Sequence, residues 1–139
     1  MRLVVALDGE GEVAAAQVGG KAAGLARLLA AGFPVPPGLC VTTSAFRLAI
    51  DGYRPRIQAL LQEQDLGDPA IAAAVAAAIA SLLEGVAVPA PVMAALSEAL
   101  PETAGADTLL AVRSSATAED KADASFAGQY ATVLGVRGE

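Results

Sequence analysis

Residues 109–132 read LLAVRSSATAEDKADASFAGQYAT. The apolar run Leu109 to Val112 has the length of a buried strand, and it stops abruptly at Arg113 in a loop of small and polar residues. The arginine is therefore expected at a strand's exit. Behind it follow Ser114, Ser115 and Thr117, then Glu119, Asp120 and Asp123, then Ala127-Gly128-Gln129. Hydroxyls, carboxylates and a glycine that permits close backbone approach thus share one turn-rich segment. A core has no use for that mixture. The plain alternative is a solvated loop with an ion-paired arginine.

A second stretch, Val18-Gly19-Gly20-Lys21-Ala22, resembles a phosphate cradle at a helix start but is not a P-loop. The Walker pattern needs a glycine where Ala15 stands and a Ser or Thr where Ala22 stands. What remains is physical: two glycines allow close approach, the first helical N–H groups lack intrahelical partners, and Lys21 adds a full charge beside them. An anion would be stabilised there, although a glycine turn with a surface lysine would read the same. If Lys21 and Arg113 converge, two cations support one polyphosphate, the arrangement that phosphoryl transfer uses.

Around these two anchors the chain reads as alternating elements. Leu3 to Leu7 is an opening strand closed by Asp8-Gly9. A helix follows Gly19-Gly20, with Ala22, Leu25, Leu28 and Leu29 as one apolar stripe and Gly32 as its stop. Phe33-Pro34-Val35-Pro36-Pro37-Gly38 must run extended, and Gly38 to Thr42 recovers strand character. Thr42, Thr43 and Ser44 are N-cap candidates for a helix carrying Ala45, Phe46, Leu48, Ala49 and Ile50.

From Arg54 to Leu100 the texture is helical, in three segments marked by Ile57, Leu60 and Leu61, by Ile71, Val75, Ile79, Leu82 and Leu83, and by Val92, Met93, Leu96, Ala99 and Leu100. Breaks fall at Gly67-Asp68-Pro69 and at Gly85 through Pro91. Strand character returns at Leu109 to Arg113 and at Tyr130 to Val136. The element order is that of a mixed α/β or α+β arrangement, with α+β the expected class: one domain, or part of one, over residues 1–139, a small mixed sheet, and a helical insertion over about 43–100.

Composition narrows the function. A chain of 139 residues, 55% hydrophobic and 17% charged, can bury a real core. A net charge of -6 argues against nucleic acid or an anionic membrane as the main partner, so any anion must be held locally by a few cations and N–H groups. The chain has no histidine, which excludes a Ser-His-Asp triad and a phosphohistidine carried on this sequence. Cys40, the single cysteine, is expected as a small buried hydrophobe. The apolar start is too short for a secretory signal, and the alanine-rich run Pro69 to Leu83 falls short of the roughly 20 residues of a membrane span. A cytoplasmic protein is expected.

Three blocks together resemble the N-terminal ATP-binding domain of the phosphoenolpyruvate synthase and pyruvate phosphate dikinase family, a domain shared with the rifampicin phosphotransferases. They are Val18 to Leu25, Gly32 to Gly38 with Val41-Thr42-Thr43, and Ala111 to Asp120 with Ala124 to Gln129. The resemblance implies an ATP-grasp-like fold, with Lys21 and Arg113 on the phosphates and Gly128 and Thr132 near the nucleotide. Ser115 and Thr117, like Ser114, are placed to donate hydrogen bonds to phosphate oxygens. It further implies ATP with Mg2+, and a phosphoryl group passed to a histidine on a separate domain and then to pyruvate or a similar acceptor. No catalytic residue and no direct metal ligand is assigned within this sequence; the family's metal site lies in a later half, beyond Glu139. Lys121-Ala122 replaces the Leu-Pro common after Glu-Asp in the family, a change expected to alter local stiffness. The competing expectation is a non-catalytic nucleotide-binding or regulatory module.

Overall fold

The computed structural model describes residues 2–10, 13–62, 64–105, 107–117 and 131–137. Gly128, Glu119, Asp120, Asp123 and the start of the last expected strand at Tyr130 lie outside the described residues. The elements run β1 (Val4–Leu7), α1 (Ala15–Val18), α2 (Gly20–Ala30), β2 (Gly38–Val41), α3 (Thr43–Ile50), a 3-10 turn (Asp51–Tyr53), α4 (Arg54–Leu61), α5 (Pro69–Glu84), α6 (Ala90–Thr103), β3 (Leu110–Arg113) and β4 (Thr132–Val136). The class is mixed, helices with small sheets. The sheet itself differs from expectation: among the described residues there are two separate antiparallel pairs, β1 with β2 and β3 with β4, and no single mixed sheet.

The chain divides into two compact units, residues 1–45 with 90–139, and residues 46–89. In the first, β1 pairs with β2 so that Val5 faces Cys40 and Leu7 faces Gly38. Its core gathers Leu7, Val18, Ala22, Ala23, Ala26 and Cys40, with Val13, Leu25 and Leu29 packed against them. Strands β1 and β2 also pack on α6, which buries Val92. The buried stripe of α2 is therefore its alanine face; small side chains let the helix approach the β1–β2 ribbon closely, and Leu28, expected in the stripe, stays 44% exposed.

Local signals place the ends of these elements. Gly32, at φ +80°, follows α2; its N–H donates to the Leu29 carbonyl and the Phe33 N–H to the Leu28 carbonyl, the paired bonds of a Schellman stop. Thr42 is the N-cap of α3: its Oγ1 accepts from the Ala45 N–H at 3.3 Å and donates to the Arg2 carbonyl at 2.9 Å.

The second unit is helical. Asp68 caps α5 by accepting from the N–H groups of Ala70 and Ile71, and α5 packs on α4. Neither α4 nor α5 buries a described residue fully; Ile57, Leu60, Ile71, Val75 and Ile79 are half-buried. No helix among the described residues is long and apolar enough to cross a membrane.

The β3–β4 pair corrects a second expectation. Leu110 to Arg113 is a strand, but not a buried one: Leu109 is 59% exposed, Val112 53% and Leu134 74%. A four-residue apolar run specifies an extended segment without specifying what covers it.

Candidate functional site

The site is assembled in the first unit, from the start of α2 and the end of β3. After α1, Gly19 adopts φ +82°, a left-handed conformation that glycine takes without strain, and this turns the chain into α2. Lys21 then leaves the first turn of the helix. Far along the chain β3 ends at Arg113, paired in register with Thr132 on β4. The hairpin continues one residue further, where the Ser114 N–H and Oγ both donate to the Ala131 carbonyl, at 3.3 and 3.2 Å.

The two anchors meet. Lys21 and Arg113 line one open groove of about 530 Å3, together with Gly24, Leu25, Arg27 and Leu28. That volume falls in the range of small-molecule sites. Among the described residues its lining carries three cations and no carboxylate, in a chain whose net charge is -6. Cations gathered in this way are what an acidic protein needs to hold an anion locally. Leu25, Leu28 and the bare backbone of Gly24, with open space where a side chain would stand, give the groove an apolar floor beside its cations.

The backbone cradle expected at the start of α2 is occupied by protein. The Gly20 N–H donates to the Ala116 carbonyl at 3.1 Å and the Ala22 N–H to Ser115 Oγ at 3.3 Å. The first intrahelical bond follows, from the Ala23 N–H to the Gly19 carbonyl. The Lys21 ammonium donates to the Ser114 carbonyl at 3.3 Å, a long contact for a charged donor. An anion in this groove is thus met by side chains, because the helix-start N–H groups of Gly20 and Ala22 already have partners.

The other expected residues fall as follows. Ser115 sits half-buried against Gly19 and Ala22, Thr117 is exposed at the end of the described loop, and Thr132 is exposed beside Arg113. Sequence reasoning missed Arg27. Its signal was the row Lys21, Gly24, Arg27 at three-residue spacing, which places all three along one side of a helix. Cys40 is buried and its thiol donates to the Val18 carbonyl at 3.4 Å; burial pushes its pKa above the ordinary thiol value. It is part of the packing under Val18 and not of the groove.

Residues 15–139 match the family described as pyruvate phosphate dikinase, AMP/ATP-binding domain. A probable phosphoenolpyruvate synthase of Methanothermobacter thermautotrophicus is 39% identical over 126 residues, covering 86% of this chain and 18% of that protein. The prodigiosin synthesizing transferase PigC of Serratia marcescens is 41% identical over 137 residues, 99% of this chain and 14% of that one. A rifampicin phosphotransferase of Streptomyces sviceus is 42% identical over 141 residues, 99% and 16% respectively. The chain therefore spans less than a fifth of the length of these relatives.

Proposed function

The chain belongs to the pyruvate phosphate dikinase AMP/ATP-binding domain family, and from that premise we propose that it is the ATP-gripping front portion of a phosphotransferase. The observation that carries the proposal is the shared groove of Lys21 and Arg113. Lys21 supplies a compact positive charge and Arg113 a planar fork of donors, so a polyphosphate between them gains charge-assisted hydrogen bonds from two directions. Thr132, opposite Arg113, and Thr117, on the loop beyond it, add hydroxyl donors near the same tail, and Ser115 stands on that loop with its Oγ on the Ala22 N–H. Gly128 is assigned to the segment near the nucleotide by family resemblance alone.

Mg2+ would enter on the nucleotide's own phosphates; the described residues contain no cluster of three or more carboxylate, thiol or imidazole groups suited to hold it. We read residues 1–139 as part of one ATP-grasp-like, cytoplasmic nucleotide-binding domain, with the helical segment as an insertion. In this reading, which for the relay rests on the family resemblance, the phosphoryl group passes from ATP to a histidine outside this histidine-free sequence and from there to pyruvate or a similar acceptor, the acceptor being in keeping with the name phosphoenolpyruvate synthase.

The test is an amide chemical-shift titration of the 139-residue chain with Mg-ATP. Saturable shifts at Lys21, Gly24, Arg113 and Thr132 are expected, weakened about tenfold by Lys21→Ala or Arg113→Ala, the loss of one charge-assisted contact. Absence of saturable shifts, or shifts confined to residues away from the groove, would refute the reading.

A further inference from the structure

We propose that Ser115 is a positioning residue, whose hydroxyl supplies from the far end of the chain the cap that Gly19 cannot give its own helix, and so fixes Lys21 relative to Arg113. This rests on the nucleotide-site reading above for its functional consequence, but the geometry stands by itself.

Gly19 is the N-cap of α2 and has no side chain to accept a bond from the first turn. The acceptors come from the loop after β3: Ser115 Oγ takes the Ala22 N–H and the Ala116 carbonyl takes the Gly20 N–H. Lys21 lies between those two held amides, and its ammonium reaches back to the Ser114 carbonyl of the same loop. Ser114, Ser115 and Ala116 thus each bind one atom of the helix start, while Arg113 immediately precedes them.

Gly19 and Ser115 also require one another sterically. A Cβ on Gly19 would collide with Ser115 Oγ and stand 2.8 Å from the Ser115 carbonyl carbon, and φ +82° disfavours any side chain there. The bare glycine makes room for the hydroxyl, and the hydroxyl replaces the cap that the bare glycine lacks. With this latch closed, the cationic groups of helix and strand keep one spacing. Opened, the two elements move independently, and small misplacements at such a site are expensive.

The experiment compares the 139-residue chain with Ser115→Ala, Ser115→Thr and Gly19→Ala, first without ligand. Hydrogen exchange is read at the Ala22 amide, and the acetylation rate of Lys21 is read by mass spectrometry against Lys121, the chain's other lysine. Ser115→Ala and Gly19→Ala should speed both roughly five- to tenfold, the value of a lost cap, and Ser115→Thr, which keeps the hydroxyl, should restore them. Unchanged Ala22 exchange in Ser115→Ala overturns the latch, and shows that any role of the hydroxyl is direct contact with ligand.

Mg-ATP titration forms the second arm. A wild-type chain that binds, with Ser115→Ala several-fold weaker and Ser115→Thr near wild type, supports positioning. Affinity unchanged in Ser115→Ala despite faster exchange overturns it. A wild-type chain that fails to bind while the ligand-free arm responds as expected retires the nucleotide reading and leaves the latch standing.

Discussion

Thr42 shows how much one side chain can carry in a chain of this size. It is 1% exposed, and its hydroxyl is spent twice, donating to the Arg2 carbonyl and accepting the Ala45 N–H. Thr42→Val keeps the shape and removes both bonds, so urea denaturation should show a loss of about 2 kcal/mol. A change below a few tenths would mean water replaces those partners. Cys40 is a different case, titratable but chemically idle. Burial raises its thiol pKa above that of the unfolded chain, so its contribution is complete below the ordinary thiol value and is lost as pH rises through the folded one. Stability should therefore fall into the alkaline range more steeply for the wild type than for Cys40→Ala; parallel curves would show that the thiol does not titrate differently on folding. Both residues were legible in advance, Thr42 as a cap before an apolar-periodic run and Cys40 as a small hydrophobe between Leu39 and Val41. Ser115 was not legible in its structural role, because nothing in its neighbours says that it accepts from the first turn of a helix, at Ala22, 93 residues earlier.

At the scale of elements, turn chemistry proved readable and burial did not. Gly32 stops α2, Asp8-Gly9 closes β1, and the breaks at Gly67-Asp68-Pro69 and before Pro91 separate the middle helices, each through a local preference that tertiary contacts do not override. The short α1 escaped notice because four residues carry no period. Leu109 to Val112 was misread as covered because its apolar composition reports what a strand is made of and not which neighbour reaches it. The stripe on α2 is legible in part: Ala22, Leu25 and Leu29 meet the core as expected, whereas Leu28 is exposed, and Ala23 and Ala26 are buried because alanines allow the helix's close approach. The exposed ribbon yields a prediction. Leu134→Glu, at a site 74% exposed, should change stability by less than about 0.5 kcal/mol and reduce self-association at high concentration, since exposed apolar strands template pairing. A destabilisation above about 1 kcal/mol would mean that Leu134 packs in solution against something.

For the whole molecule the decisive fact is electrostatic. A chain of net charge -6 gathers Lys21, Arg27 and Arg113, three of its nine basic residues, around one groove that no carboxylate lines among the described residues. An exposed cationic site of this kind should weaken as ionic strength rises, in keeping with a Debye length of about 10 Å at 0.1 M salt. The account's central claim is that Lys21 and Arg113 face the phosphate tail of one bound nucleotide, and paramagnetic broadening by Mn2+-ATP, corrected with Mn2+ alone, tests it most directly. Side-chain resonances of Lys21 and Arg113 should both broaden more than those of Val92, which is buried on α6 of the same unit and does not line the groove. Broadening of only one of the two cations, or of neither while the nucleotide binds elsewhere, would contradict the claim.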